Sequence, residues 1–202
     1  MMSERPGLIP PHGGYENLRS YRTGQLVYDA TVIFCDRFVD KRSRTHDQMV
    51  QAARSGVRNI AEGSMASATS KKTEIKLTGV ARASLEELLL DCKDFLRHHG
   101  LPVWDKESPD ARRVREMYRT IGSDASDRSD KSDTSDRSDG IPWDPYGISA
   151  ASAEVAANTL VCLINQATYL LGRQLRNLER AFLDEGGFTE RLYRERRNSR
   201  RV

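Results

Sequence analysis

Seven apolar residues, Leu160, Ile164, Ala167, Leu171, Leu175, Leu178 and Phe182, recur at steps of three and four. That period belongs to one face of an α-helix, not to the two-residue alternation of a half-buried strand. Val155, Leu163 and Leu170 lie beside the seam. The apolar surface is therefore wider than one partner helix covers, which asks for an internal core and points to self-association as well.

The partners are legible upstream. A helical pattern runs from Leu18 to Asp40, with Val27, Ala30, Phe34 and Phe38 on one side. The basic turn Lys41-Arg42-Ser43-Arg44 follows, suited to the negative end of a helix dipole. Thr45 is the expected N-cap of a second helix, with Asp47 in its first turn. Its stripe is Met49, Ala53, Gly56 and Ile60, and Ala52, Ser55, Gly56 and Asn59 allow close approach. It is expected to end at Glu62, with Gly63 as a left-handed C-terminal residue. Ser64 to Thr69 reads as loop, and Ser70 caps a third helix reaching His98 or His99. Leu77, Val80, Ser84, Leu88 and Cys92 form its line. At ~1.5 Å per residue it spans ~40 Å, the length of a bundle's central mast. Ser108-Pro109-Asp110 starts a short helix, stopped by Gly122. The last long helix starts near Ser149 or Ser152, runs to Leu183 and breaks at Gly186-Gly187.

Between them, Ser123 to Asp139 repeats Ser-Asp-X triplets with Ala125 as its one apolar residue, so it is expected to be disordered. Six aspartates against Arg128, Lys131 and Arg137 leave it at −3, hence +6 on the rest of a chain whose net charge is +3. Ile141 to Tyr146 is expected to bring the chain back to the body. At 202 residues with 38% hydrophobic and 7% aromatic content, the chain has a core of modest size, as expected for amphipathic helices. The organisation is a flexible arm over 1–17, a helical body over 18–185 with an insertion over 101–148 and its low-complexity part at 123–139, and a basic suffix over 186–202. Met1 to Gly14 lacks an apolar run, so no signal peptide is expected, and no apolar stretch reaches the ~20 residues of a membrane span. Cys35, Cys92 and Cys162 have neither metal-ligand nor redox spacing. They fit a reducing, cytoplasmic setting as buried hydrophobes.

Cations cluster on the second and third helices. Arg54 and Arg58 are one turn apart, and Lys71, Lys72, Lys76 and Arg82 open the next helix. They form either a phosphate-contacting strip or a solvated face with local pairs such as Arg58 with Glu62. Asn59, Glu62, Ser84 and Glu87 are expected to form a polar network that aligns helices. The rival reading makes Glu62 and Glu87 the carboxylates of a metal-dependent nuclease. His12, His46, His98 and His99 lack metal-ligand spacing, and no phosphate-binding glycine loop is present. The tail arginines Arg191, Arg194, Arg196, Arg197, Arg200 and Arg201 read as a nucleic-acid arm with Tyr193 stacking on a base, as a solubilising end, or as a cover over a neighbouring subunit through Phe188 and Leu192.

The run Arg54-x-x-x-Arg58-Asn59-Ile60-Ala61-Glu62-Gly63 resembles the four-helix-bundle family encoded in intervening sequences of bacterial 23S rRNA genes. That family includes accessory proteins of diversity-generating retroelements. Ala83-Ser84-Leu85-Glu86-Glu87-Leu88 agrees with it, as do Ala157-Asn158-Thr159-Leu160 and the ending Glu185 to Tyr193, which resembles a variant with a C-terminal suffix. The resemblance covers Leu18 to Leu96 and Ser149 to Arg197. It implies an all-α, antiparallel up-down four-helix bundle, here with a disordered Ser/Asp-rich insertion between helices 3 and 4. It also implies a homo-oligomer, a pentamer, with a basic surface for nucleic acid and a reverse transcriptase as partner. The Trp104 to Tyr146 insertion and the extension past Gly187 depart from the family pattern.

The resulting expectation is a non-catalytic basic scaffold with no cofactor and no metal. Nucleic acid is contacted by Arg54, Arg58, Lys71, Lys72 and Lys76, and secondarily by Arg191, Arg194 and Arg197. The alternatives are a protein–protein adaptor and, last, the nuclease.

Overall fold

Serine side chains start four of the helices. Ser43, Ser70, Ser108 and Ser152 each accept a hydrogen bond from the backbone N–H three residues on, at 3.2–3.3 Å, satisfying a donor that the helix cannot pair internally. The computed structural model describes residues 13–127 and 144–199. Those residues form a short 3-10 turn, Tyr15–Asn17, and six α-helices: α1 (Arg19–Phe38), α2 (Arg44–Ala66), α3 (Lys71–His98), α4 (Pro109–Asp127), α5 (Ala153–Glu185) and α6 (Phe188–Ser199). Among the described residues there is no strand.

Three helix ends differ from the sequence expectation. The cap of α2 is Ser43, not Thr45, and the helix continues through Gly63 to Ala66. Gly63 is helical and buried, and a Cβ on it would lie 3.4 Å from Glu74 O and Leu77 Cβ. It serves close packing against α3, not chain reversal. Likewise α4 passes Gly122 and runs to Asp127, so the first five residues of the Ser-Asp stretch are helical. The remainder of that stretch, together with 141–143, lies outside the described residues.

The most extensive contacts join α2 to α3 and α3 to α5, followed by α1 to α2 and α1 to α5. Val27, Phe34, Met49, Ile60, Leu85, Leu88, Leu96, Leu160, Ile164 and Leu171 are fully buried between them. On α3 the buried stripe is Ala81, Leu85, Leu88, Cys92 and Leu96, while Val80, expected inside, is 42% exposed. A single-residue offset on a helix rotates a side chain by about 100°, which is enough to turn Val80 to water. On α5 the seam is buried only as far as Leu171; Leu175, Leu178 and Phe182 are half-buried, and Leu183 is 82% exposed. By length and composition α5 is apolar enough to cross a membrane, but 61% of its most apolar window is buried inside the protein.

The segment around the insertion is tied to the body. Asn158 Oδ1 accepts from Trp104 N at 2.8 Å, and Asn158 Nδ2 donates to Pro102 O at 2.9 Å. The hydroxyls of Thr23 and Tyr118 meet at 2.7 Å in a buried contact between α1 and α4. Arg37 donates to the carbonyls of Ile148 and Ala151 and lies over the Phe38 ring. Asp144 accepts from the N–H groups of Ile148 and Ser149 at 2.8 and 2.7 Å. Burial opposes its ionisation, yet these bonds to the carboxylate hold its pKa below the usual range.

Burial pushes the Cys35 thiol up to about 12 and raises Cys92 as well. The thiolate is the nucleophile, so both should resist iodoacetamide in the native protein at neutral pH and react once it is unfolded. Mass spectrometry after timed alkylation checks this; fast native labelling of either residue would contradict the packing described.

Candidate nucleic-acid interface

Gly56 sits against Leu85, and Gly63 against Leu77 and Thr78, so numbering falls along α3 as it rises along α2. A Cβ on Gly172 of α5 would lie 3.7 Å from Arg176 Nη1 and 3.9 Å from Arg82 Nη1 of α3. The late part of α2, the early part of α3 and the late part of α5 therefore share one end of the molecule. Lys72, Lys76 and Arg82 of α3, and Arg173, Arg176 and Arg180 of α5, are all exposed there. Glu62, Glu86, Glu179 and Asp184 are the nearby exposed carboxylates, and Glu86 is taken up by Arg82 at 2.9 Å.

Arg54 and Arg58 lie exposed on the outer strip of α2. Among the described residues no carboxylate is within ion-pair distance of Arg54, Arg58, Lys72, Lys76 or Arg176. The local Arg58–Glu62 pair considered from the sequence is not formed. Arg58 does act on Tyr21: burial raises that hydroxyl's pKa, and the guanidinium opposes the rise. Lys71 differs from the other cations. It is half-buried, and its Nζ lies 3.2 Å from the buried Glu74 carboxylate, so its charge is spent within α3.

The polar quartet is not brought together. Asn59 Nδ2 donates to Ser55 O at 2.8 Å within its own helix. Glu62 and Glu87 are exposed, Ser84 is half-buried, and no hydrogen bond joins the four among the described residues. The register explains why. With Gly56 opposite Leu85, Glu87 stands level with Arg54, and Glu62 lies about two turns, roughly 12 Å, further along the axis. The same separation removes the geometry that paired carboxylates need to act on one substrate atom.

No protein-family model, curated protein or solved structure matches this chain. The family resemblance rests on the residue runs that carry it.

On α6, Arg194 and Arg197 are exposed on the face shared by Thr189, Glu190 and Tyr193. Arg191 belongs to the same helix, with its side chain outside the described residues. Arg173, Arg176 and Arg180 stand outside the contacts expected from the sequence, since the pattern of α5 is set by its apolar seam and these three lie on its other face. Their spacing of three and four was the available signal.

Proposed function

We propose that this chain is a non-catalytic, self-associating basic scaffold that binds the phosphate backbone of nucleic acid. Its body is an antiparallel four-helix bundle of α1, α2, α3 and α5. That arrangement is supported by the cyclic order of their contacts and by the pairings Gly24 with Val57, Gly56 with Leu85, and Ser20 with Gln174. The observation that carries the functional reading is the set of exposed cations that have no carboxylate partner among the described residues. Arg54, Arg58, Lys72, Lys76 and Arg176 retain their charge for an external anion, and Arg82 and Arg176 converge from two helices over Gly172. Phosphate contacts of this kind position a duplex or strand without reading its sequence. The resemblance to retroelement accessory proteins adds a homopentamer and a reverse-transcriptase partner to the same reading.

Gel shifts with generic RNA and DNA over a salt series provide the test. Binding should weaken with a log–log slope of about −0.7 to −0.9 for each phosphate neutralised. Replacing Lys72, Lys76 and Arg176 by glutamine should flatten that slope by about 1 per contacting residue. No shift even at low salt, or a slope unchanged in the triple variant, would end the proposal. The first of these results would leave the adaptor reading in its place.

A further inference from the structure

α6 is amphipathic, and among the described residues it has no packing partner of any extent. Phe188 and Leu192 are half-buried, Tyr193 is 70% exposed, and Leu183 just before the break is 82% exposed. Its charge is strongly positive: Arg191, Arg194, Arg196 and Arg197 stand against Glu190 and Glu195. Glu190 is already engaged, accepting from Gly187 N at 2.9 Å. A basic helix carrying aromatic and aliphatic side chains needs an acidic surface with exposed apolar residues.

The outer strip of α3 has that chemistry. Val80, Ala83, Glu87, Leu90 and Asp94 are exposed at helical spacing, with Leu90 at 62% and Val80 at 42%. Asp91 lies beside Glu87, one turn on. Among the described residues neither Glu87 nor Asp91 has a cation within ion-pair distance. Burial, and then the charges of Glu87 and Asp94, hold the Asp91 carboxyl above its usual range. Asp94, at the end of the strip, is taken up by Arg97 at 2.8 Å, so the acidic charge left over among the described residues is that of Glu87 and Asp91.

The two surfaces are out of reach of each other within one chain. Gly172 is level with Arg82, so the start of α6 lies beyond the first turn of α3. A helix of 12 residues is about 18 Å long. Folded back along α3, it would stop short of Glu87. On the way it would press its arginines onto Lys72, Lys76 and Arg176, where like charges repel.

We propose that α6 of one copy docks on the Val80–Asp94 strip of α3 in a second copy, seating Tyr193 and Leu192 by Leu90 and the arginines by Glu87 and Asp91. The proposal rests on the self-association in the functional reading above and names the surfaces that produce it. A contact between two different patches closes into a ring when the rotation permits.

Light scattering on the nuclease-treated full chain tests it, with circular dichroism verifying that each variant is folded. Glu87→Arg with Asp91→Arg, and separately Arg194→Glu with Arg197→Glu, should each reduce the assembly to single chains. The four changes together in one chain should restore the wild-type mass. A wild-type monomer, an unchanged mass in either pair variant, or failure of the combined variant to reassemble while folded would overturn the contact. Should a charge variant fold poorly, Tyr193→Cys mixed with Leu90→Cys gives an independent readout. A short bismaleimide should join the two chains, and absence of that product would refute the docking. Mass is read without nucleic acid, so failure of phosphate binding and failure of this contact are told apart. Weakened nucleic-acid binding by the Arg194/Arg197 variant at unchanged mass would make α6 a nucleic-acid arm instead.

Discussion

Replacing Phe34 by alanine should destabilise the protein by about 3–5 kcal/mol. Phe34 is completely buried. Its ring meets Phe95 edge-on at 4.9 Å between centroids and lies 5.5 Å from Phe38. The substitution therefore removes three things: transfer of a large aromatic surface from water, ring–ring attraction worth about 0.5–1.5 kcal/mol per pair, and the atoms that fill the centre between α1 and α3. A domain with a total stability of about 5–15 kcal/mol is left close to its threshold by such a loss. Urea unfolding followed by circular dichroism measures it. Phe34→Leu, which keeps most of the volume, should lose much less. A cost for Phe34→Ala below about 1.5 kcal/mol would mean that the ring is not where the α1–α3 contact is made.

The second large effect is expected at Gly56, in the opposite sense of overfilling. A Cβ there would come to 2.7 Å from Leu85 Cδ2 and 2.9 Å from Leu85 Cγ. Leu85 is fully buried, and its Cγ is not a free end that swings aside. Gly56→Ala gains about 1 kcal/mol of helix propensity against an overpacking cost of about 1–3 kcal/mol, so it should cost no more than about 2 kcal/mol net. Gly56→Leu has no comparable offset and should cost at least about 3 kcal/mol. Leu85→Ala alone should cost about 2–5 kcal/mol by opening a cavity. Combined with Gly56→Leu, the loss should fall at least about 1 kcal/mol short of the sum, because each change relieves the other. Strict additivity in denaturant unfolding would show that α2 and α3 do not touch at this pair.

Much of the site was legible as composition and little of it as geometry. The exposure of Arg54, Arg58, Lys72 and Lys76 was legible from spacing alone, because a charged side chain on a helix is usually at the surface. Lys71 looked the same in sequence, yet Glu74 neutralises it; a partner three residues on was visible, but not which of several lysines would claim it. Glu62 and Glu87 looked like a possible pair until register set them two turns apart. Arg176 was passed over because its meeting with Arg82 depends on two helices far apart in the chain lying side by side at Gly172.

The helical class, the serine caps at Ser70, Ser108 and Ser152, and the buried part of the α5 seam follow from the chain itself. They depend on interactions within three or four residues, and those are written in local order. The role of Gly63, the exposure of Val80, the lack of an ion pair at Glu87 and Asp91 among the described residues, and the convergence of Arg82 on Arg176 were decided only by packing. Each depends on how far one helix slides and rotates against another, a quantity set by the sum of many distant side-chain contacts and by no single segment.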